Sequence, residues 1–315
     1  MAKSDRKYGV SVIITVSEFC SGIEDVFLTI RDKLTRMGKS FECIFVQLID
    51  NNLMEKKIQD IARKHPDISL LRLRPTFSEA DAFNAGIEHA KGDTILTLPV
   101  YHQVEVDDLD EAFEAAGSTC DIILCRRFPR LDAWLNKAES VVFNGLIRRL
   151  LKVNLHDLGC GVMVMPADVA RSIDVYGDLY RFIPILALRQ GYTAGEVKVR
   201  HLLRRKKSGL YGPGVYIRRL LDIVTLFFIV KFTKKPLRFF GLTGAGFFGA
   251  GSLINIYLTI YKFMGNSLAN RPMLILGVIF MVLGVQLLSI GLIGELIIFT
   301  HAKKMKEYRV GKILS

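Results

Sequence analysis

No Cys-x-x-Cys pair occurs in this chain, and its five cysteines (Cys20, Cys43, Cys120, Cys125 and Cys160) are odd in number and mostly set in apolar runs. That argues against a disulfide framework; reduced, buried thiols in a cytosolic domain are the simpler reading. Behind the polar, charged stretch Met1 to Tyr8 there is no apolar run long enough for a signal peptide, so the soluble part is expected to stay on the side where it is made. Acids are nearly missing from one region: between Lys198 and Arg238 twelve Lys or Arg stand with a single acid, Asp222. The net charge of +12 is therefore crowded into one stretch, which argues against a nucleic-acid partner. It fits a cytoplasmic membrane face, through the positive-inside bias and attraction to anionic lipid. Charge is absent altogether from Phe239 to Tyr261 and from Met273 to Gly294, runs of more than 20 residues each. Each is long enough to cross a hydrocarbon core of ~30 Å.

Half of the 315 residues are apolar, which suits one α/β domain plus membrane spans. Ser21 with Glu24 three residues on reads as a capping box, and the apolar face Ile23, Val26, Phe27, Ile30, Leu34 and Met37 ends at Gly38. Strands are expected at Val10 to Val16, Phe41 to Leu48, Ile68 to Leu73, Thr94 to Leu98 and Asp121 to Cys125. Between them lie helical segments at Leu53 to Lys64, Glu79 to Ala90 and near Asp107 to Ala116. Such alternation argues for a mostly parallel sheet covered on both faces. A long helix, Leu131 to Leu151, then His156-Asp157-Leu158-Gly159-Cys160-Gly161, a short helix, Arg181-Phe182-Ile183-Pro184 and a strand near Val197 to Val199 follow.

Beyond them Tyr216 to Phe232 is apolar and of helical period but carries Arg218, Arg219 and Lys231, which suits a helix lying in the interface plane. The two charge-free runs read as transmembrane helices. Their connecting loop, Lys262 to Pro272, holds little charge, whereas Lys234, Lys235 and Arg238 precede the first span and Lys303, Lys304 and Lys306 follow the second. Both termini are therefore expected in the cytoplasm. Gly241, Ala245 and Gly249 in the first span and Gly277, Gly284 and Gly291 in the second permit close helix contact, within one subunit or between subunits. The plain alternative is that Gly is common in membrane helices.

Five pieces of sequence occur in a specific order: Ser11-Val12-Ile13-Ile14, the run Asn84-Ala85-Gly86-Ile87-Glu88-His89-Ala90-Lys91-Gly92-Asp93, His156 to Gly161, Arg181 to Pro184, and Gly291-Leu292-Ile293-Gly294-Glu295. Together they resemble the membrane-anchored family-2 glycosyltransferases that make polyprenyl-phosphate sugars, the dolichyl- and undecaprenyl-phosphate glucosyl and mannosyl enzymes. The resemblance implies a GT-A nucleotide-sugar-transferase (Rossmann-like) α/β domain over residues 1–210 and an interfacial amphipathic region at 211–236. Two transmembrane helices within 237–301 and a cytoplasmic tail at 302–315 complete it.

In that family a nucleotide sugar binds at the C-terminal strand ends, and an Asp-x-Asp after the central strand holds Mg or Mn against the diphosphate. Here Leu98-Pro99-Val100-Tyr101-His102 stands there, so Pro99 and Tyr101 replace the acids and the metal ligands are absent. The family's Pro-Val-Tyr-Asn-Glu is Thr15-Val16-Ser17-Glu18-Phe19, its Val-Asp-Asp-Gly-Ser is Val46-Gln47-Leu48-Ile49-Asp50, and Thr76 to Glu79 departs too. Thr15, Gln47 and Tyr101 thus mark a degenerate donor site. Glu105, Asp107 and Asp108 are weighed as substitute ligands against a solvated helix start. His102 has no second His or Cys at ligand spacing.

On the acceptor side the resemblance assigns Arg126, Arg127, Arg130, Lys137 and Ser140 to the lipid phosphate, a role that suits Arg geometry; the alternative is a solvated basic helix. Asp157 is the candidate catalytic residue, assisting acceptor activation or orienting a basic neighbour, against a turn-stabilising Asp. Leu210 stands where the relatives usually carry the Lys of Ser-Lys-Tyr-Gly.

Two functions are expected from these residues. One is a glycosyltransferase moving a sugar from a nucleotide sugar to polyprenyl phosphate. The other is a catalytically inactive pseudo-glycosyltransferase that binds lipid phosphate or partners an active transferase. The expected partners are the lipid bilayer, polyprenyl phosphate, a nucleotide sugar and a second copy of the chain, with no nucleic acid. The expected location is the inner or plasma membrane, multi-pass, with the soluble domain cytoplasmic.

Overall fold

The computed structural model describes residues 8–74, 77–130, 141, 144–145, 148–149, 153–173, 175, 177–202, 214, 221, 236–265 and 272–302. The chain divides into two compact units, residues 1–226 and 227–315.

In the first unit β1 (Tyr8–Val16), α1 (Ile23–Arg36), β2 (Phe41–Gln47), α2 (Asn52–Lys64), β3 (Ile68–Arg72), α3 (Glu79–His89) and β4 (Gly92–Pro99) alternate as the pattern predicts. A 3₁₀ turn (Val106–Leu109), α4 (Asp110–Ala115), β5 (Ile122–Arg127), β6 (Met163–Pro166) and α5 (Ala167–Ser172) follow. A second 3₁₀ turn (Gly177–Phe182), α6 (Ile183–Arg189) and β7 (Ala194–Val199) complete it. Among the described residues the strands form one sheet in the order β3-β2-β1-β4-β6-β5-β7. All neighbours are parallel except β6, which runs antiparallel to both β4 and β5. The predicted mostly parallel sheet is therefore mixed. Sequence periodicity missed β6, a short apolar stretch that follows glycines and runs straight into a helix.

Both faces of the sheet are covered. Val10, Val12, Ile14 and Val16 of β1 join Ile23, Phe27, Ile30 and Leu34 of α1 and Met54 and Ile58 of α2 in one buried cluster. On the opposite face α3 lies so close to β1 that a Cβ on Gly86 would stand 2.7 Å from Ile13 Cγ2, which is why glycine sits at that point of the motif. The same motif includes Gly92, whose amide donates to Ser11 Oγ (2.8 Å) while Ser11 Oγ donates to the buried Glu42 carboxylate (2.6 Å).

Helix ends match the sequence in part. Gly38, at φ 65°, closes α1 with a Schellman pair, its amide on Thr35 O and that of Lys39 on Leu34 O. The capping box expected at Ser21 does not form: α1 begins after Gly22 without a side-chain cap. A full capping box occurs instead at α3, between Ser78 and Asp81.

In the second unit α7 (Pro236–Phe263) and α8 (Pro272–Ala302) are long and apolar enough to cross a membrane. Their large apolar side chains are mostly exposed, as lipid-facing residues are. The two helices touch through glycine. A Cβ on Gly251 would lie 2.5 Å from Gly277 O, and one on Gly244 would lie 2.7 Å from Gly284 O. The predicted stripe of α8, Gly277, Gly284 and Gly291, thus faces α7. On α7 the facing glycines are Gly244 and Gly251, a seven-residue step, while Gly249 has nothing within 4 Å. The Gly241-Ala245-Gly249 spacing runs off the packed face: a Cβ on Gly241 would still lie 3.9 Å from Leu288 Cδ2 of α8, whereas Ala245 is exposed. The interfacial helix expected at 211–236 lies almost wholly outside the described residues.

The five thiols are free, with Cys43, Cys125 and Cys160 buried and Cys20 and Cys120 partly exposed. Burial pushes the Cys160 thiol up to about 12 and moves Cys43 and Cys125 upward as well. In the folded protein at pH 8, iodoacetamide should therefore modify Cys20 and Cys120 while the other three react only after denaturation, as peptide mass spectrometry would record. Fast labelling of Cys160 in the folded state would contradict the packing.

Candidate functional site

A cleft of about 380 Å³ opens at the C-terminal ends of β1 and β4. Its lining includes Thr15 from β1, Pro99 and Tyr101 from the end of β4, the segment Leu158 to Gly161, and Tyr180 and Arg181 from the second 3₁₀ turn. Thr15 and Pro99 are register partners, so the two strand ends that floor the cleft meet there. Thr97 ties one wall to the sheet: its hydroxyl donates to Gly161 O (2.9 Å) and accepts from the Met163 amide (3.1 Å). Gln103 does the same from below, its Oε1 accepting from the Gly161 amide at 2.9 Å.

Of the predicted donor residues, the structure brings Thr15 and Tyr101 to this cleft and not Gln47. Gln47 is fully buried at the end of β2, where its amide nitrogen donates to Ile49 O (2.8 Å) and Asn51 O (3.3 Å) and its Oε1 has no hydrogen-bond partner. It shapes the turn into α2. Thr76 lies outside the described residues. Arg181, which the sequence marks as part of the Arg181 to Pro184 piece without a site role, also lines the cleft. It is exposed and, among the described residues that line the cleft, it is the one cation beside two carboxylates, Glu18 and Glu79.

The donor set does not fit a divalent metal. Pro99 and Tyr101 supply no carboxylate, and among the described residues no group of three or more His, Cys, Asp or Glu is placed to hold an ion. The substitute acids are committed elsewhere. Asp107 pairs with Arg36 (2.7 Å) and Asp108 with Arg200 (2.9 Å), and the hydrogen-bonded Arg200 guanidinium holds the Asp108 carboxyl below its ordinary range. Glu105 precedes the first 3₁₀ turn without capping it by its side chain, and His102 lies 3.1 Å from Asp25.

Next to the cleft β5 ends in Arg126 and Arg127, which alternate across the strand. Arg127 points inward, 7% exposed, and meets Asp157, 2% exposed, in a two-pronged pair. Its Nε donates to Asp157 Oδ2 and its Nη2 to Oδ1, both at 2.7 Å, and its backbone amide adds a third bond to Oδ2 at 3.2 Å. Arg130 stands 3.8 Å from the same carboxylate. Burial alone would raise the Asp157 pKa, but the Arg127 hydrogen bonds and charge, with Arg130, outweigh it and hold the carboxyl below its usual value. Glu196 of β7 fixes the segment from the other side, accepting from the backbone amides of His156 and Asp157 and pairing with His156 Nδ1 at 2.9 Å. Gly159 packs tightly against the same pair, since a Cβ there would come 3.2 Å from Arg127 Nη2. Arg126, on the other face, is half-buried and makes no hydrogen bond or ion pair among the described residues. Lys137 and Ser140 lie outside the described residues.

The sequence profile of glycosyl transferase family 2 matches residues 11–173, which hold the Arg127–Asp157 pair and the cleft lining apart from Tyr180 and Arg181. The chain belongs to this family. It is 30% identical over 246 residues to a dodecaprenyl-phosphate galacturonate synthase of Rhizobium johnstonii, covering 76% of this chain and 73% of that protein. It is 26% identical over 313 residues to an undecaprenyl-phosphate 4-deoxy-4-formamido-L-arabinose transferase of Edwardsiella ictaluri, covering 97% and 94%. Among solved structures, a glucosyl-3-phosphoglycerate synthase from Mycobacterium tuberculosis superposes with a TM-score of 0.48 at 12% identity, over 69% of this chain and 78% of that one. In this family-2 chain the β4 end carries Pro99 and Tyr101 while the buried pair beside it is fully formed.

Removing one member of that pair leaves an uncompensated charge in a dry site. Arg127→Ala should cost about 3–5 kcal/mol of stability, whereas Arg127→Met combined with Asp157→Leu should regain most of it. The stabilising ionised form of Asp157 is complete at neutral pH, above the ordinary carboxylate value of about 3.9, and is lost as pH falls through the lowered pKa. Thermal unfolding of detergent-purified protein between neutral and acid pH measures both effects; an Arg127→Ala variant as stable as wild type would show the pair to be idle.

Proposed function

We propose that this chain is a membrane-bound glycosyltransferase that moves a sugar from a nucleotide sugar to a polyprenyl phosphate. The observation that carries the reading is the adjacency of the strand-end cleft, where α/β sheets bind their ligands, to the Arg-rich end of β5. Family membership, the names of the relatives and the two membrane-length helices support it. In the reaction an acceptor phosphate oxygen attacks the anomeric carbon in line, with inversion, as the bond to the diphosphate breaks and the nucleoside diphosphate departs. A phosphate monoester has its second pKa near about 6, so it arrives already anionic and needs no general base. Asp157 accordingly serves as a positioning residue: its oxygens are occupied by Arg127, and it holds that guanidinium and the wall of the cleft together. Arg126 and Arg130, with Lys137 and Ser140, are the groups assigned to the acceptor phosphate.

Arg181 is the group that would face the diphosphate, in place of a metal. The cleft also favours a second reading. The described lining carries no carboxylate at Pro99 or Tyr101 and places Glu18 and Glu79 beside the one guanidinium, a reason to keep the non-catalytic relative in view. A second copy of the chain remains a proposed partner, with Gly246 and Gly249 of α7 facing no neighbour within 4 Å.

A radiolabelled transfer assay on membranes with a panel of nucleotide sugars separates enzyme from non-catalytic relative. In calorimetric titration, manganese should leave nucleotide-sugar binding nearly unchanged, and Arg181→Ala should weaken it about tenfold, the value of a charge-assisted hydrogen bond. Strong enhancement by manganese would overturn the metal-free donor site. For the membrane arrangement, with both termini cytoplasmic, a cysteine introduced near Asn266 should be labelled only from the far side of the bilayer. Labelling from the cytoplasmic side alone would refute that topology.

A further inference from the structure

Arg126 and Lys198 are register partners on the parallel pair β5–β7, so their side chains leave the same face of the sheet. Phe128, two residues past Arg126, continues that face, its amide bonded to Val199 O at 2.8 Å. Phe128 is 54% exposed, just past the end of β5. Lys198 Nζ sits 5.5 Å from the ring centroid and Pro129 beside it is exposed. The acid nearest along β7, Glu196, is taken up by His156 and the Asp157 amide. Among the described residues, what this face presents outward is an aromatic ring accompanied by the cations Arg126 and Lys198.

We propose that this Phe128 face is a seat on the membrane, the ring entering the headgroup region while Arg126 and Lys198 meet anionic lipid phosphates. The composition is that of interfacial anchors, an apolar body ringed by basic side chains. One ring and a few cations are far too little for a stable protein interface, which needs roughly 800 Å² per partner. A bilayer suits this composition, and α7 and α8 of the same chain are long and apolar enough to cross one. The inference rests on the membrane reading of those two helices and does not depend on sugar transfer.

The test uses the full chain in nanodiscs, with Phe128→Trp as reporter in a Trp134→Phe background that removes the single native Trp. In nanodiscs containing brominated phosphatidylglycerol, the reporter emission should be blue-shifted and lose half or more of its intensity. Arg126→Gln with Lys198→Gln should cut that quenching severalfold, as should a neutral bilayer. Lys198→Trp in the same background provides a second reporter on the same face and should be quenched likewise. Failure of the chain to co-elute with nanodiscs would overturn the membrane reading and this inference with it. Co-elution with both reporters unquenched and at a water-like emission wavelength would overturn the inference alone.

Discussion

The salt bridge between Arg127 and Asp157 is the constraint on which the site depends. Both side chains are almost wholly out of water, and a charge in that setting is tolerated only when its partner meets it squarely. Three hydrogen bonds to one carboxylate satisfy that demand. A buried pair of this kind adds little net stability over a well-packed apolar substitute, so its presence calls for a geometric reason. The reason lies in what it connects. Arg127 ends a strand flanked by the partly buried cations Arg126 and Arg130, and Asp157 precedes the residues, Leu158 to Gly161, that wall the cleft. Glu196 and Gln103 then pin that segment at either end.

This arrangement gives the proposed reaction its division of labour. An acceptor that brings its own negative charge needs cations and alignment rather than a base, and the buried pair fixes the alignment while Arg126 and Arg130 remain at the surface edge. At the cleft Pro99 and Tyr101 stand at the end of β4, and among the described lining residues Arg181 is the one guanidinium. In the proposed reaction the donor and the acceptor would be met by different residues, joined through the Arg127–Asp157 pair.

Much of the fold was legible because its signals are local. Strands buried on both faces read as apolar runs, helices as periodic faces, and Gly38 as a helix end, all within a few residues. Gly86 and Gly92 appeared in the sequence only as parts of a motif; their reason, the close approach of Ile13 and Ser11, is tertiary. The failures share that character. β6 is short and antiparallel, and only its neighbours β4 and β5 make it a strand. Ser21 has the spacing of a capping box, but the chain enters α1 one residue later. The contact stripe of α7 depends on which face meets α8, which small-residue spacing alone leaves open. In the site, Arg127 and Asp157 were recognisable as members of a motif, but their burial against each other was not, since 30 residues separate them. Gln47 was placed at the donor site by alignment of a strand end and turned out to face inward. Arg181 reached the cleft through a turn whose path no local pattern encodes.

The claim that one buried pair holds the acceptor end of β5 to the wall of the cleft is tested most directly by hydrogen–deuterium exchange on the full chain carrying Arg127→Met. The account predicts faster exchange across residues 157–161 together with 126–130, while the amides of β1, β2 and β3 keep wild-type protection. Wild-type protection at 157–161 in that variant would contradict it.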